Sequence, residues 1–108
     1  QGRYNGQQIV PEAVIADIRQ GGSPEEFAPA GYQTLPGWSY RKQWWIAHDD
    51  HGAFMARGIH GQAIYIDPKA EMVIARFASH PLAGNVHFDP TSLPAYRAIA
   101  DQLLRKPR

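Results

Sequence analysis

The chain has 108 residues, 44% of them hydrophobic and 19% charged, enough for one folded domain with a core and too apolar for a disordered segment. Eleven basic residues against ten acidic leave a net charge of +1, which excludes the electrostatic footprint of a nucleic-acid or anionic-membrane binder. The absence of cysteine rules out a disulfide framework and a thiolate zinc site. No apolar run is long enough to cross a bilayer, and the opening QGRYNGQQ lacks the basic and apolar regions of a signal peptide. Cytoplasmic and periplasmic settings are both compatible with this composition.

Pro11 suits a first helical position, Val14, Ile15 and Ile18 share one helical face, and Gly21-Gly22 offers a stop, so the first element is a short helix. Ser23 to Trp38, with three prolines and few aliphatics, reads as an extended loop of a length often tied to function or to a larger assembly. Tyr40 to Ala47 alternates Tyr40, Lys42, Trp44 and Ile46 against Arg41, Gln43 and Trp45, and reads as one strand. Trp44 and Trp45 then face opposite sides, one toward core and one toward a pocket or partner.

His48 to Gly52 supplies a turn, Ala53 to Gly58 a second strand, and Gln62 to Ile66 continues it or forms the next. After a turn at Asp67-Pro68, Glu71 to Ser79 is a strand whose nearly continuous apolar run implies two covered faces. Ser92 is the expected N-cap of a helix ending near Arg105. Its apolar stripe is Tyr96, Ile99, Ala100 and Leu103, with Arg97, Asp101 and Gln102 outward and Arg105 and Lys106 at its C-terminal dipole. The expected fold is α+β, a single segment over 1–108, with an antiparallel sheet of about three strands and a helix at each end. Such a sheet leaves an edge and part of an apolar face open, so upstream sequence or a second copy is expected to cover them.

Ser39-Tyr40-Arg41-Lys42 spells S-x-x-K, a serine acylase spacing that works on a helix, where positions three apart share a face. On a strand those positions point to opposite faces, so Lys42 is not expected to reach Ser39. His48-Asp49-Asp50-His51 holds metal-ligand types, yet four consecutive turn residues do not converge on one ion and read as a solvated turn. No metal and no cofactor is expected. Ser79, His60 and Asp67 or Asp89 supply the ingredients of a triad without its geometry. Gly58-Ile59-His60-Gly61 carries more content, because glycines flanking Ile-His at a strand end expose a backbone N–H, the element of an oxyanion hole. The plainer readings are a structural histidine at His60 and glycines that only serve strand packing.

The run WWI followed by GAFMARGIHGQAIYIDPKAEMVIARFASHP resembles the C-terminal part of serine hydrolases of the class C β-lactamase and penicillin-binding-protein superfamily. Its nearest branch is that of the 6-aminohexanoate-dimer hydrolases and esterases, and the similarity runs over nearly the whole chain. The resemblance implies the C-terminal portion of a β-lactamase/transpeptidase-like fold. It also implies an acyl-enzyme route in which a helix-borne S-x-x-K serine, assisted by a tyrosine motif, attacks an ester or amide. The family's third motif, often Lys-Thr-Gly, falls on Ala56-Arg57-Gly58. By the same resemblance the Ile59 backbone N–H is an oxyanion donor, and Gly58, His60, Gly61 and Trp45 form the substrate-binding edge. The motif lysine is missing, which turns the expectation from β-lactams to a small ester or amide. The S-x-x-K helix and the tyrosine motif are not within the 108 residues; they are expected upstream, and the isolated chain is expected to be inactive. The alternative function is a non-catalytic binding or interaction module built on the same sheet.

Overall fold

The computed structural model describes residues 1–105; Lys106, expected at the last helix's C-terminal dipole, lies outside them. The chain opens with a small hairpin, β1 (Arg3–Tyr4) and β2 (Gln7–Gln8), around Asn5-Gly6, a pair suited to a tight hairpin turn. Helix α1 (Glu12–Gln20) follows Pro11 and stops at Gly21, as its sequence predicts. The stretch after it is not wholly extended. Pro24 and Pro29 sit in the first turns of α2 (Pro24–Phe27) and of a 3-10 turn at Ala28–Ala30, where a missing N–H costs nothing, and the Ser23 hydroxyl caps α2 by accepting from the Glu26 N–H.

The sheet is a sequential antiparallel meander of five strands: β3 (Ser39–Arg41), β4 (Trp44–Ile46), β5 (Phe54–Arg57), β6 (Ala63–Asp67) and β7 (Met72–Arg76). The count exceeds the expected three because Tyr40 to Ala47 is a hairpin, not one strand, and because Ala63–Asp67 is a strand of its own and does not continue Phe54–Arg57. Lys42 and Gln43 turn the chain with φ of 50° and 71°, and neither residue carries the glycine or asparagine signal that marks such a turn. Asp17 of α1 holds this turn in place, pairing with Arg41 at 2.7 Å and Lys42 at 2.6 Å. Lys42, then Arg41, keep the Asp17 carboxyl below the usual carboxylate range.

Helix α3 (Asp89–Arg105) packs on one face of the sheet, where Met55, Tyr65 and Met72 meet Tyr96 and Ala100 in the main core. It begins before Ser92, with the Phe88 carbonyl accepting from the Thr91 and Ser92 N–H groups and Pro90 in the first turn. The Ser92 hydroxyl instead accepts from the Arg76 guanidinium at 2.7 Å. Tyr96 and Ala100 are the buried apolar residues of this helix with Leu93 partly buried beside them, while Ile99 and Leu103, expected inside, are 48% and 36% exposed. On the other face α1 lies against β4. Farther along that face the strand alternation puts Ile64 and Val73 outward at 43% and 64% exposure, and Phe77 just beyond β7 is 91% exposed. The two covered faces expected for β7 are therefore not both met by the described residues, and no strand pairs with its outer edge among them.

Candidate active-site cleft

The S-x-x-K at Ser39 is not a dyad. Lys42 is engaged by Asp17, and Ser39 is fully buried, its hydroxyl accepting from the Gly22 N–H at 3.0 Å and bonded to His48 Nε2 at 2.6 Å. The His48 to His51 turn likewise does not converge. His51 turns inward instead of to solvent, 4% exposed, with Nδ1 2.6 Å from the buried Asp67 carboxylate. Asp49 accepts from the His51 and Ala53 N–H groups, and Asp50 pairs with Arg97 at 2.9 Å, which holds its carboxyl below the usual range. Only part of this turn is solvated, because β6 and α3 close over it. The imagined triad dissolves in the same way: Asp67 belongs to His51, Asp89 to Arg57, and His60 to the His80 backbone.

A cleft of about 490 Å³ opens at the far end of β5, within the usual range for a small-molecule site. Its walls come from three places: Tyr32, Gln33 and Thr34 of the long loop, Trp45 with Gly58 and Ile59 on the sheet, and Ala83 to Val86 ahead of α3. Trp45 faces into it and Trp44 packs on Phe54 on the other side, as the strand alternation requires. Tyr32 and Phe27 meet the Trp45 ring edge-on at 5.0 and 5.9 Å, so the aromatic wall is fixed by its neighbours. At the floor the Arg57 guanidinium grips Asp89 with two bonds of 2.9 and 2.8 Å, and the Thr34 hydroxyl donates to the same carboxylate at 2.5 Å. Arg57 also lies 5.3 Å from the Trp45 ring centre, a cation-π contact.

Gly58 and Ile59 line this cleft; His60 and Gly61 do not. His60 adopts a left-handed φ of 59°, uncommon outside glycine. Its surroundings hold it there. The His60 N–H donates to the Ala83 carbonyl, the His80 N–H donates to the His60 carbonyl, and Nδ1–H donates to the His80 carbonyl at 2.7 Å. Gly61 is buried, with φ of 89°, and a Cβ there would come 2.2 Å from the His80 ring. So the second glycine serves a close approach of His80, itself stacked on Phe88 at 4.0 Å. The first lines the cleft, and a Cβ there would come 3.2 Å from the Gln62 side chain. Gly58 N–H donates to the Gln62 carbonyl at 2.9 Å, whereas the Ile59 N–H has no partner among the described residues. The Ile59 side chain is 62% exposed.

No family model matches the chain. A curated relative, the 6-aminohexanoate-dimer hydrolase of Paenarthrobacter ureafaciens, is 32% identical over 77 residues, 70% of this chain. A solved Bacillus anthracis structure, provisionally named as a 6-aminohexanoate-dimer hydrolase, covers 99% of the chain at 39% identity with a TM-score of 0.76. The chain is homologous to one segment of the 6-aminohexanoate-dimer hydrolases. It spans 20% of the curated hydrolase and 26% of the solved one. Within this segment, the Arg57–Asp89–Thr34 floor and the cleft wall at Ala83 to Val86 have no counterpart among the sequence expectations. The wall residues carry no charge or motif that would single them out. In the sequence Arg57 stands only where the family motif has its lysine, although an arginine on the buried face of a strand calls for a carboxylate partner.

Proposed function

We propose that these residues form one wall of the active site of a β-lactamase-like serine hydrolase that cleaves a small ester or amide through an acyl-enzyme. The observation that carries the reading is the Ile59 N–H. It is a backbone donor without a partner among the described residues, at the edge of an aromatic cleft, between two neighbours whose N–H groups are both bonded. A donor that must receive charge developing on a carbonyl oxygen has to be preorganised and unpaired beforehand. Only its backbone is needed, which accounts for an apolar side chain at this point. Trp45 with Tyr32 offers apolar surface to an acyl or alcohol chain. Arg57 is engaged by Asp89 and is no free cation for a substrate carboxylate, which favours a neutral ester or amide.

The nucleophile in this reading is a serine outside residues 1–108, since Ser39 is buried. The same further polypeptide, in preference to a second copy, covers the open β7 edge and the face bearing Ile64, Val73 and Phe77. The relatives extend far beyond the matched segment, and an open edge with an apolar face seeks such cover. A fluorophosphonate probe tests the reading. The longer hydrolase is expected to lose its p-nitrophenyl esterase activity on labelling of one serine outside these residues, while isolated 1–108 takes up no label. Labelling of Ser39 with loss of activity would overturn it. No labelling of either form, with ligand binding retained, would favour the binding module.

A further inference from the structure

We infer that Asn85 is a positioning residue for the Ile59 donor, an assignment that rests on the oxyanion reading above. The Asn85 side-chain amide donates from Nδ2 to the Gly58 carbonyl at 2.9 Å. That carbonyl and the Ile59 N–H are the two ends of one peptide unit, and no described peptide bond is cis. In a trans unit the two ends point in opposite directions. Gly58 is extended, with φ −104° and ψ 171°, so its own N–H and carbonyl lie on the β6 side, where the N–H meets Gln62. The Ile59 N–H is thereby turned to the β4 side, the side of Trp45 and the cleft. Holding the Gly58 carbonyl therefore aims the Ile59 N–H.

The following peptide is pinned as well, by the His60 N–H donating to the Ala83 carbonyl at 3.1 Å. Both restraints come from the same short segment before α3. Asn85 does not cap its own 3-10 turn, whose N-terminal residue Gly84 lacks any side-chain cap. Its bond goes to the sheet instead. The orientation of the amide is unambiguous, because a carbonyl only accepts and only the NH2 end of asparagine donates. Besides fixing direction, a hydrogen bond to the carbonyl polarises the peptide and makes its N–H a better donor.

Kinetics and a spectroscopic readout in the longer hydrolase containing these residues test the inference. Asn85 is half-buried between exposed Gly84 and Val86, so replacing it opens no core. Asn85→Leu removes the donor at nearly equal size, and Asn85→Asp sets an acceptor against the carbonyl. Both are expected to lower kcat for p-nitrophenyl acetate by roughly tenfold or more, the scale of a slightly misplaced catalytic group, with KM little changed and the melting curve retained. Labelling glycine at the carbonyl carbon and isoleucine with 15N selects Gly-Ile peptides, of which Gly58–Ile59 is the only one among the 108 residues, and the signal that disappears in Ile59→Leu is the Gly58–Ile59 peptide. The Ile59 amide proton should move upfield in Asn85→Leu as the carbonyl bond is lost. Should Asn85→Leu melt early, Asn85→Asp carries the comparison. Ile59→Pro, run in parallel, separates two failures. Loss of kcat in folded Ile59→Pro with full kcat in the Asn85 variants overturns the positioning role alone. Full kcat in folded Ile59→Pro overturns the oxyanion reading and this inference with it.

Discussion

On the proposed oxyanion role, replacing Ile59 by proline is expected to lower kcat roughly a hundredfold or more in the longer hydrolase that the proposal invokes, the loss that follows removal of one oxyanion donor. The proline ring puts a carbon on the nitrogen in place of the N–H hydrogen, and the Ile59 side chain is too exposed to be holding a core. Ile59→Leu keeps the backbone donor and most of kcat, so the pair of variants separates the backbone from the side chain. Proline also restricts Gly58 before it to extended conformations, which Gly58 already adopts with φ −104° and ψ 171°. A melting curve for each variant checks that the fold survives. A folded proline variant with undiminished kcat would reduce the Gly-x-His-Gly to a packing device for His80.

Arg57→Met destabilises the fold by about 3–5 kcal/mol, the usual cost of leaving one member of a buried ion pair alone. The two side chains are only 6% and 5% exposed, and without the guanidinium the Asp89 carboxylate keeps just the Thr34 hydroxyl and the start of α3. The double variant Arg57→Met with Asp89→Leu regains much of the loss, because two apolar side chains restore a buried contact without a stranded charge. Urea denaturation of the wild type, the single and the double variant reads both effects. A single variant within about 1 kcal/mol of wild type, the range of an exposed ion pair, would mean that water reaches the pair.

The parts of this fold legible in the sequence are those fixed by local chemistry. Pro11 and Gly21 bound α1, the strands at Phe54 and Met72 follow in the right order, and the separate strand at Tyr65 is one of two readings that the sequence leaves open. The opposite sides taken by Trp44 and Trp45 follow from strand alternation. What escaped is decided by contacts distant in sequence. The Lys42-Gln43 turn is held by Asp17, 24 positions from Arg41, and nothing local predicts it. The inward His51 depends on Asp67, 16 positions away. At the cleft, a strand end and a glycine mark Gly58 and Ile59 locally, and strand alternation sets Trp45 opposite Trp44. Asn85, 27 positions from its acceptor at Gly58, carries none. The same distance explains why two glycines that look alike in sequence have different surroundings, Gly58 packed beside Gln62 and Gly61 lying under His80.

The most direct measurement of the oxyanion reading is a crystal structure of the longer hydrolase inactivated by a fluorophosphonate, whose tetrahedral phosphorus stands in for the carbon of the acylation intermediate. The account predicts one phosphoryl oxygen roughly 2.7–3.1 Å from the Ile59 nitrogen, with the ester chain against Trp45 and the Asn85 amide still on the Gly58 carbonyl. A phosphoryl oxygen turned away from Ile59, with its N–H bonded to protein or water instead, would contradict it.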